Sequence, residues 1–225
     1  MSLPEHIDAG ETGYDRVLRF SIADKNARGR VVRLGPVLDT ILTAHDYPPP
    51  IRSLLAEALV LTALLGTLLK DEGSQLTMQA QTEAGVVDLL VCDYRDGELR
   101  GYVRHDAERL AQLGRNPSLS ALFGKGYLAV TFDLAATGQR YQGIVPLEGG
   151  SLAEACENYF AQSEQVPTLI RVGVGDGAAG CIGAGILVQH LAEGEDEGTD
   201  GHHDVEGEHV VRDVEAEEPA NLVGQ

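Results

Sequence analysis

The chain is short of cysteine and of cations. Only three cysteines occur among 225 residues, and Cys92, Cys156 and Cys181 are far apart, odd in number and without C-x-C or C-x-x-C spacing. That excludes a disulfide framework and a paired-thiol redox or zinc motif within these residues, and it makes a reducing compartment the simpler setting. Seventeen Lys and Arg stand against 35 Asp and Glu, a formal net charge of -18. Acidity of this order repels phosphate backbones, so nucleic acid is excluded as a partner. The opening MSLPEHIDAGETGYD is polar and acidic, with no basic stretch leading into an apolar one, and the expectation is a cytoplasmic protein. Gly173, Gly175, Gly177 and Gly180 lack the Lys-Ser/Thr pair and the following helix of a phosphate loop.

Apolar residues make up 43% of the chain, enough for a real core. They concentrate in Leu54 to Lys70, LLAEALVLTALLGTLLK. Its polar or small breaks, Glu57, Thr62, Gly66 and Thr67, point in different directions at about 100° per residue, so the helix has no solvated stripe and must be covered on all sides. Pro48, Pro49 and Pro50 lead into it, and Lys70 in its last turn suits the helix dipole. Glu57 and the soluble composition on either side argue against a membrane span, and no membrane partner is expected.

The remaining elements supply the cover. Val17 to Ile22 and Arg30 to Leu34 read as a hairpin, and Val37 to Ala44 as a short helix. Leu76 to Gln81, Val86 to Tyr94 and Leu99 to Arg104 alternate as strands, the last two joined by Asp96-Gly97, a strong hairpin signal. Helical segments over Ala107 to Leu113 and Ser118 to Phe123 precede a second hairpin, Tyr127 to Leu134 with Arg140 to Leu147. Ser151 and Glu154 form a capping box that opens another helix. Thr168 to Val174 and Cys181 to Leu191 make a late hairpin, and five glycines from Gly173 to Gly183 leave its register weakly specified. The fold class is α+β, antiparallel sheets enclosing a buried central helix in β/α/β layers. Residues 1–15 read as a flexible leader, 16–191 as the folded domain and 192–225 as an acidic disordered tail, in which twelve carboxylates face one cation, Arg212.

No catalytic constellation stands out, and no enzyme is expected. Cys92, with His105, Asp93 and Asp106 on one hairpin, is the first candidate nucleophile, but it shares a strand face with Leu90 and Tyr94 and fits a core position better. Cys156 and Cys181 also fit packing. His202, His203 and His209 among Asp200, Asp204 and Glu208 could bind a divalent metal, yet the spacing matches no site with a defined fold. Glu57, a carboxylate in an apolar helix, needs a donor, and a structural hydrogen bond is the favoured reading over a perturbed active-site acid. No catalytic, cofactor-binding or metal residue is assigned.

Several stretches together resemble one family: RGRVVRL (28 to 34), ILTAHDYPPP (41 to 50), the buried helix itself, LTMQAQTEAGVVDLLVCDYRDGELRGYVRHD (76 to 106), GKGYLAVTFD (124 to 133) and QRYQGIVPLEGGSLAEACENYFAQSEQVPT (139 to 168). In this order and length they resemble the 33-kilodalton heat-shock protein family, redox-regulated holdase chaperones also called 33 kDa chaperonins. The resemblance implies a client-binding domain that captures unfolding proteins without ATP. It also implies a small C-terminal domain whose four cysteines bind zinc when reduced; this chain ends before such a motif, and Cys92, Cys156 and Cys181 are not given that role. The tail corresponds to the linker leading toward that domain. Unfolding client proteins are the expected partners, together with a homodimer that exchanges residues 168–191. An unregulated interaction module of the same fold and a thiol-dependent enzyme stand as alternatives.

Overall fold

Three prolines followed by an apolar run fold as an extended lead-in and a helix. In the computed structural model, which describes residues 13–82, 84–177, 180–191, 209–210 and 212–213, the central helix α2 is Pro49–Gly66. Pro48 is extended, at φ -59° and ψ 151°, and Pro49 and Pro50 take the first helical positions, where a missing amide proton costs nothing. The amides of Ile51 and Arg52 both donate to the Pro48 carbonyl, at 2.9 Å. The helix begins five residues before the expected Leu54 and stops four before Lys70, because prolines fit a first turn and Thr67 closes the last. The Thr67 hydroxyl donates to the Leu64 carbonyl at 2.7 Å, and Lys70 lies beyond the helix rather than in its final turn. A side chain at Gly66 would meet the Tyr94 ring at 2.3 Å, so the helix end touches the sheet through glycine. α2 is long and apolar enough to cross a membrane, but 72% of it is buried inside the protein.

Two sheets cover it. The five-stranded sheet is built from β1 (Arg16–Ile22), β2 (Ala27–Leu34), β8 (Thr168–Gly177), β9 (Gly180–His190) and β10 (His209–Val210), in the order β10-β1-β2-β9-β8. The six-stranded sheet is built from β3 (Gln75–Thr82), β4 (Val87–Arg95), β5 (Glu98–His105), β6 (Gly126–Leu134), β7 (Gln139–Pro146) and β11 (Arg212–Asp213), in the order β11-β5-β4-β3-β6-β7. Asp96 and Gly97 both have positive φ, 51° and 85°, as a tight hairpin turn requires. Leu76, Met78 and Ala80 on β3, Leu90 and Cys92 on β4, and Leu128 and Val130 on β6 are buried against one side of α2. Val32, Ile170 and Leu187 from the other sheet are buried on its opposite side. The short helices α1 (Pro36–Thr43), α3 (Ala107–Ala111), α4 (Leu119–Phe123) and α5 (Leu152–Tyr159) lie around this sandwich.

The late hairpin is longer than expected and tightly specified. Cβ atoms built at Gly183 and Gly185 would lie 2.7 Å from side-chain carbons of Val60 and Leu64. These glycines therefore let β9 approach α2 closely, and that contact fixes the register that glycines by themselves leave loose. β9 pairs with β2 from Ala27↔His190 to Leu34↔Gly183, inside the sheet rather than at its edge.

Both ends of the chain depart from the expected partition. Asp15, placed in the leader, accepts from the amides of Gly35 at 2.8 Å and Val37 at 3.2 Å, holding the entry to α1; residues 1–12 lie outside the described ones. In the tail, β10 pairs antiparallel with β1 and β11 pairs parallel with β5. Charge and low hydrophobicity give the tail nothing to bury, but the open sheet edges offer unpaired amides and carbonyls to any backbone. The rest of 192–225 lies outside the described residues.

Leu61 is fully buried. Leu61→Ala is expected to lower stability by about 2–5 kcal/mol through lost contacts and a residual cavity, read as a lower denaturant midpoint with unchanged slope.

Candidate functional site

The only carboxylate on α2 is the best-placed polar group inside the molecule. Glu57 projects toward the start of α5, and one of its oxygens accepts from the Leu152 amide at 3.1 Å. The capping box assembles on the same turn: the Glu154 amide donates to the Ser151 hydroxyl at 3.2 Å, and the Glu154 carboxylate accepts from Gly150 at 2.7 Å. Two carboxylates thus occupy the amide-rich end of α5, where the helix dipole favours negative charge. Burial raises the Glu57 pKa above the usual glutamate range, while the amides of Ala153 and Leu152 pull it back. A cleft of about 290 Å³ opens beside it, with Ser53, Arg115, Asn116, Ser118 and Ser151 among its polar walls. It contains no cysteine or histidine. Glu57 is occupied as a helix cap joining α5 to the core.

The candidate nucleophile is sealed. Cys92 is fully buried on the inner face of β4, and burial drives its thiol pKa far upward, which removes the thiolate needed for attack. The hairpin does not bring its neighbours to it. His105 pairs with Val87 at the far end, whereas Cys92 pairs with Gly101. Asp93 points to the opposite face, accepting from Thr77 at 2.5 Å and Arg100 at 2.7 Å. Asp106 is the N-cap of α3, accepting from Arg109 at 3.0 Å. Cys156 on α5 and Cys181 on β9 are buried too, with pKa raised by burial.

The three thiols, on β4, α5 and β9, do not fit the four-cysteine zinc site that the resemblance attaches to its C-terminal domain. Among the described residues no group of three or more His, Cys, Asp or Glu is gathered for a metal. His202 and His203 lie outside the described residues, and His209 belongs to β10. Gly173, Gly175 and Gly177 run along β8 as strand, not as a loop at a helix start. Pattern reading misses the pairing of Glu57 with α5, because its partner lies 95 residues away in sequence. The capping box is the one local sign of an amide cluster needing an acceptor.

Comparison with known proteins agrees with this layered architecture. The family model described as Hsp33 protein matches residues 15–221, and the chain belongs to that family. A 33 kDa chaperonin from Caulobacter vibrioides is 45% identical over 194 residues, covering 82% of this chain and 64% of the relative. One from Photobacterium profundum is 35% identical over 201 residues, covering 89% and 67%. The crystal structure of the 33 kDa chaperonin from Thermotoga maritima superposes with a TM-score of 0.67 at 27% identity, covering 79% of this chain and 61% of that one. The chain thus spans about two thirds of the length of these relatives.

A raised folded-state pKa means that the fold favours protonated Glu57. Its stabilising contribution is present below the unfolded pKa and lost as pH rises through the folded one. Glu57→Gln, fixed neutral and still able to accept from Leu152, is therefore expected to be at least as stable as the parent at about pH 7, with the difference shrinking toward about pH 4. Denaturant midpoints at both pH values check this. A clear loss at neutral pH, comparable with the Leu61→Ala cost of about 2–5 kcal/mol, would mean that the ionised carboxylate is what holds α5.

Proposed function

We propose that this chain is an ATP-independent holdase that binds unfolding proteins in the cytoplasm under heat or oxidative stress and keeps them from aggregating. The observation that carries the reading is the 45% identity over 194 residues to a protein named 33 kDa chaperonin. Two features support it. Among the described residues no nucleophile meets a base, and several large apolar side chains on the sheets stay exposed, Tyr141 at 51% and Ile144 at 57% among them. Buried, separated thiols at Cys92, Cys156 and Cys181 are poorly placed to sense an oxidant. The activity of these residues is therefore expected to be independent of redox state.

Light scattering of a heat-unfolding enzyme tests both parts. Equal suppression in reductant and in peroxide is expected. Suppression that appears only after peroxide would place a redox sensor within these residues, and none under either condition would remove the holdase reading.

We also propose a homodimer that exchanges residues 168–191. Exchange would reuse between partners the contacts that β9 makes with β2 and α2 within one chain. Sedimentation equilibrium of the full chain is expected to show a monomer–dimer equilibrium; a single monomeric species across concentrations would refute it.

A further inference from the structure

Three helix starts meet beside Glu57. α2 brings Pro49, Pro50 and Ser53, the loop into α4 brings Arg115 and Asn116, and α5 brings Ser151 to the cleft of about 290 Å³. Each wall is fixed by local chemistry. Prolines set the first turn of α2, and the capping box sets that of α5. At α4 the Ser118 hydroxyl accepts from the Ala121 amide at 3.2 Å, and the Leu122 carbonyl accepts from the Val86 amide at 2.7 Å. Leu54, Leu119 and Leu122, all buried, give the cleft an apolar lining. Fixed walls, an apolar lining and a few polar side chains are the form of a small-ligand site, and this volume lies at the small end of the range.

The two charged groups of the cleft have opposite signs, and no ion pair joins them. Glu57 is half-buried and Arg115 exposed, so the cleft runs from a carboxylate within to a guanidinium at its mouth. Acids outnumber cations by 35 to 17 in this chain, and its arginines readily find them. Arg52, Arg95, Arg100, Arg104, Arg140 and Arg171 each have a carboxylate at 3.6 Å or less. Arg115 has no such partner among the described residues, and neither Ser53 nor Asn116 beside it makes a hydrogen bond there. Glu57 has capacity to spare as well. A carboxylate offers about four lone-pair directions, and the amides of Leu152 and Ala153 use only part of them. A smaller cleft on the other side of Glu57, about 160 Å³, lacks this feature, because its guanidinium, Arg171, is committed to Glu157 at 2.8 Å.

We infer that this cleft binds a small zwitterion of the aliphatic α-amino acid class, its ammonium on Glu57, its carboxylate on Arg115 and its apolar body against Leu54, Leu119 and Leu122. The inference is independent of the holdase reading. An arginine fork matches a carboxylate, and an ammonium has three donors to share between Glu57 and the Ser53 hydroxyl. An ammonium there also favours the charged form of Glu57 that burial disfavours. Other ligands answer only part of the site. An anion on Arg115 would lie near Glu57 in a protein of net charge -18, and an alkylammonium on Glu57 would lie near Arg115. A neutral apolar molecule would strip water from both charges and from Asn116 without replacing its hydrogen bonds.

Titration calorimetry on the full chain tests this with L-leucine and two analogues that each lack one charge: isocaproate, without the ammonium, and isoamylamine, without the carboxylate. Leucine is expected to bind about tenfold more tightly than either, the scale of one hydrogen-bonded charge. Arg115→Ala is expected to weaken leucine about tenfold without weakening isoamylamine, and Glu57→Gln to weaken leucine about tenfold without weakening isocaproate. Circular dichroism checks the fold of both variants. Arg115 is exposed, so its substitution decides the matter even where Glu57→Gln disturbs α5. Absence of leucine binding to the parent chain would overturn the assignment, as would leucine binding unchanged by Arg115→Ala. Either analogue binding as tightly as leucine would overturn it too, since the cleft would then read a single charge. None of these outcomes touches aggregation suppression, by which the holdase reading is judged separately.

Discussion

A helix without a polar side cannot be left against water, and that constraint organises this molecule. α2 buries residues all around its circumference, from Ile51 to Gly66. A single sheet would leave half of that surface wet, a cost of roughly 1.5–3 kcal/mol for each large side chain so exposed. Two sheets from different parts of the sequence are therefore held on opposite sides of one rod, and each sheet turns a second face outward. The cover works only if strands come close. Gly101 places β5 against Leu55 and Leu59, Gly183 and Gly185 place β9 against Val60 and Leu64, and Gly66 receives Tyr94, each at a distance that a Cβ would violate.

Polar groups carried by a buried helix need partners, and the two in the middle of α2 find them in different ways. Thr62 donates to the Ala58 carbonyl at 2.7 Å, within its own helix. Glu57 reaches outside α2 instead and binds the start of α5. The carboxylate is costly in this setting, as its raised pKa records, and it is tolerated because α5 presents amides that also need an acceptor. Two local problems, an acid in an apolar helix and an uncapped helix end, are answered by one contact. That contact anchors α5, which in turn spans from β7 to β8, one strand in each sheet.

Periodicity and turn chemistry make the architecture legible: the apolar run of α2, the alternation of β3, the Asp96-Gly97 turn and the Ser151 cap each report a local preference that the tertiary fold keeps. Legibility fails where geometry depends on distant partners. A dipole argument puts the end of α2 at Lys70 because that argument is local, whereas Thr67 and the Tyr94 ring decide it. Glycines in β9 read as freedom and are close contact, since nothing within the hairpin reveals that Val60 and Leu64 will press against it. Asp15 reads as leader because its partners, Gly35 and Val37, are 20 and 22 residues on. The pairing of four tail residues with β1 and β5 is invisible for a different reason, as backbone hydrogen bonds leave no trace in composition.

The distribution of charge over this scaffold carries the functional argument further than any single residue. Net acidity is not spread evenly: the six-stranded sheet pairs acids with arginines across its strands beside the exposed Tyr127 and Ile144, and the outward positions of the five-stranded sheet have no acid among the described residues. Burial does not require that difference, because both inner faces meet the same helix. Solubility would be served by carboxylates at Leu18, Ile22 or Leu169, all of which already touch water. Apolar residues kept at exposed strand positions cost solubility without adding to the core. Net repulsion over most of the surface and apolar side chains at a few exposed strand positions therefore coexist on one molecule.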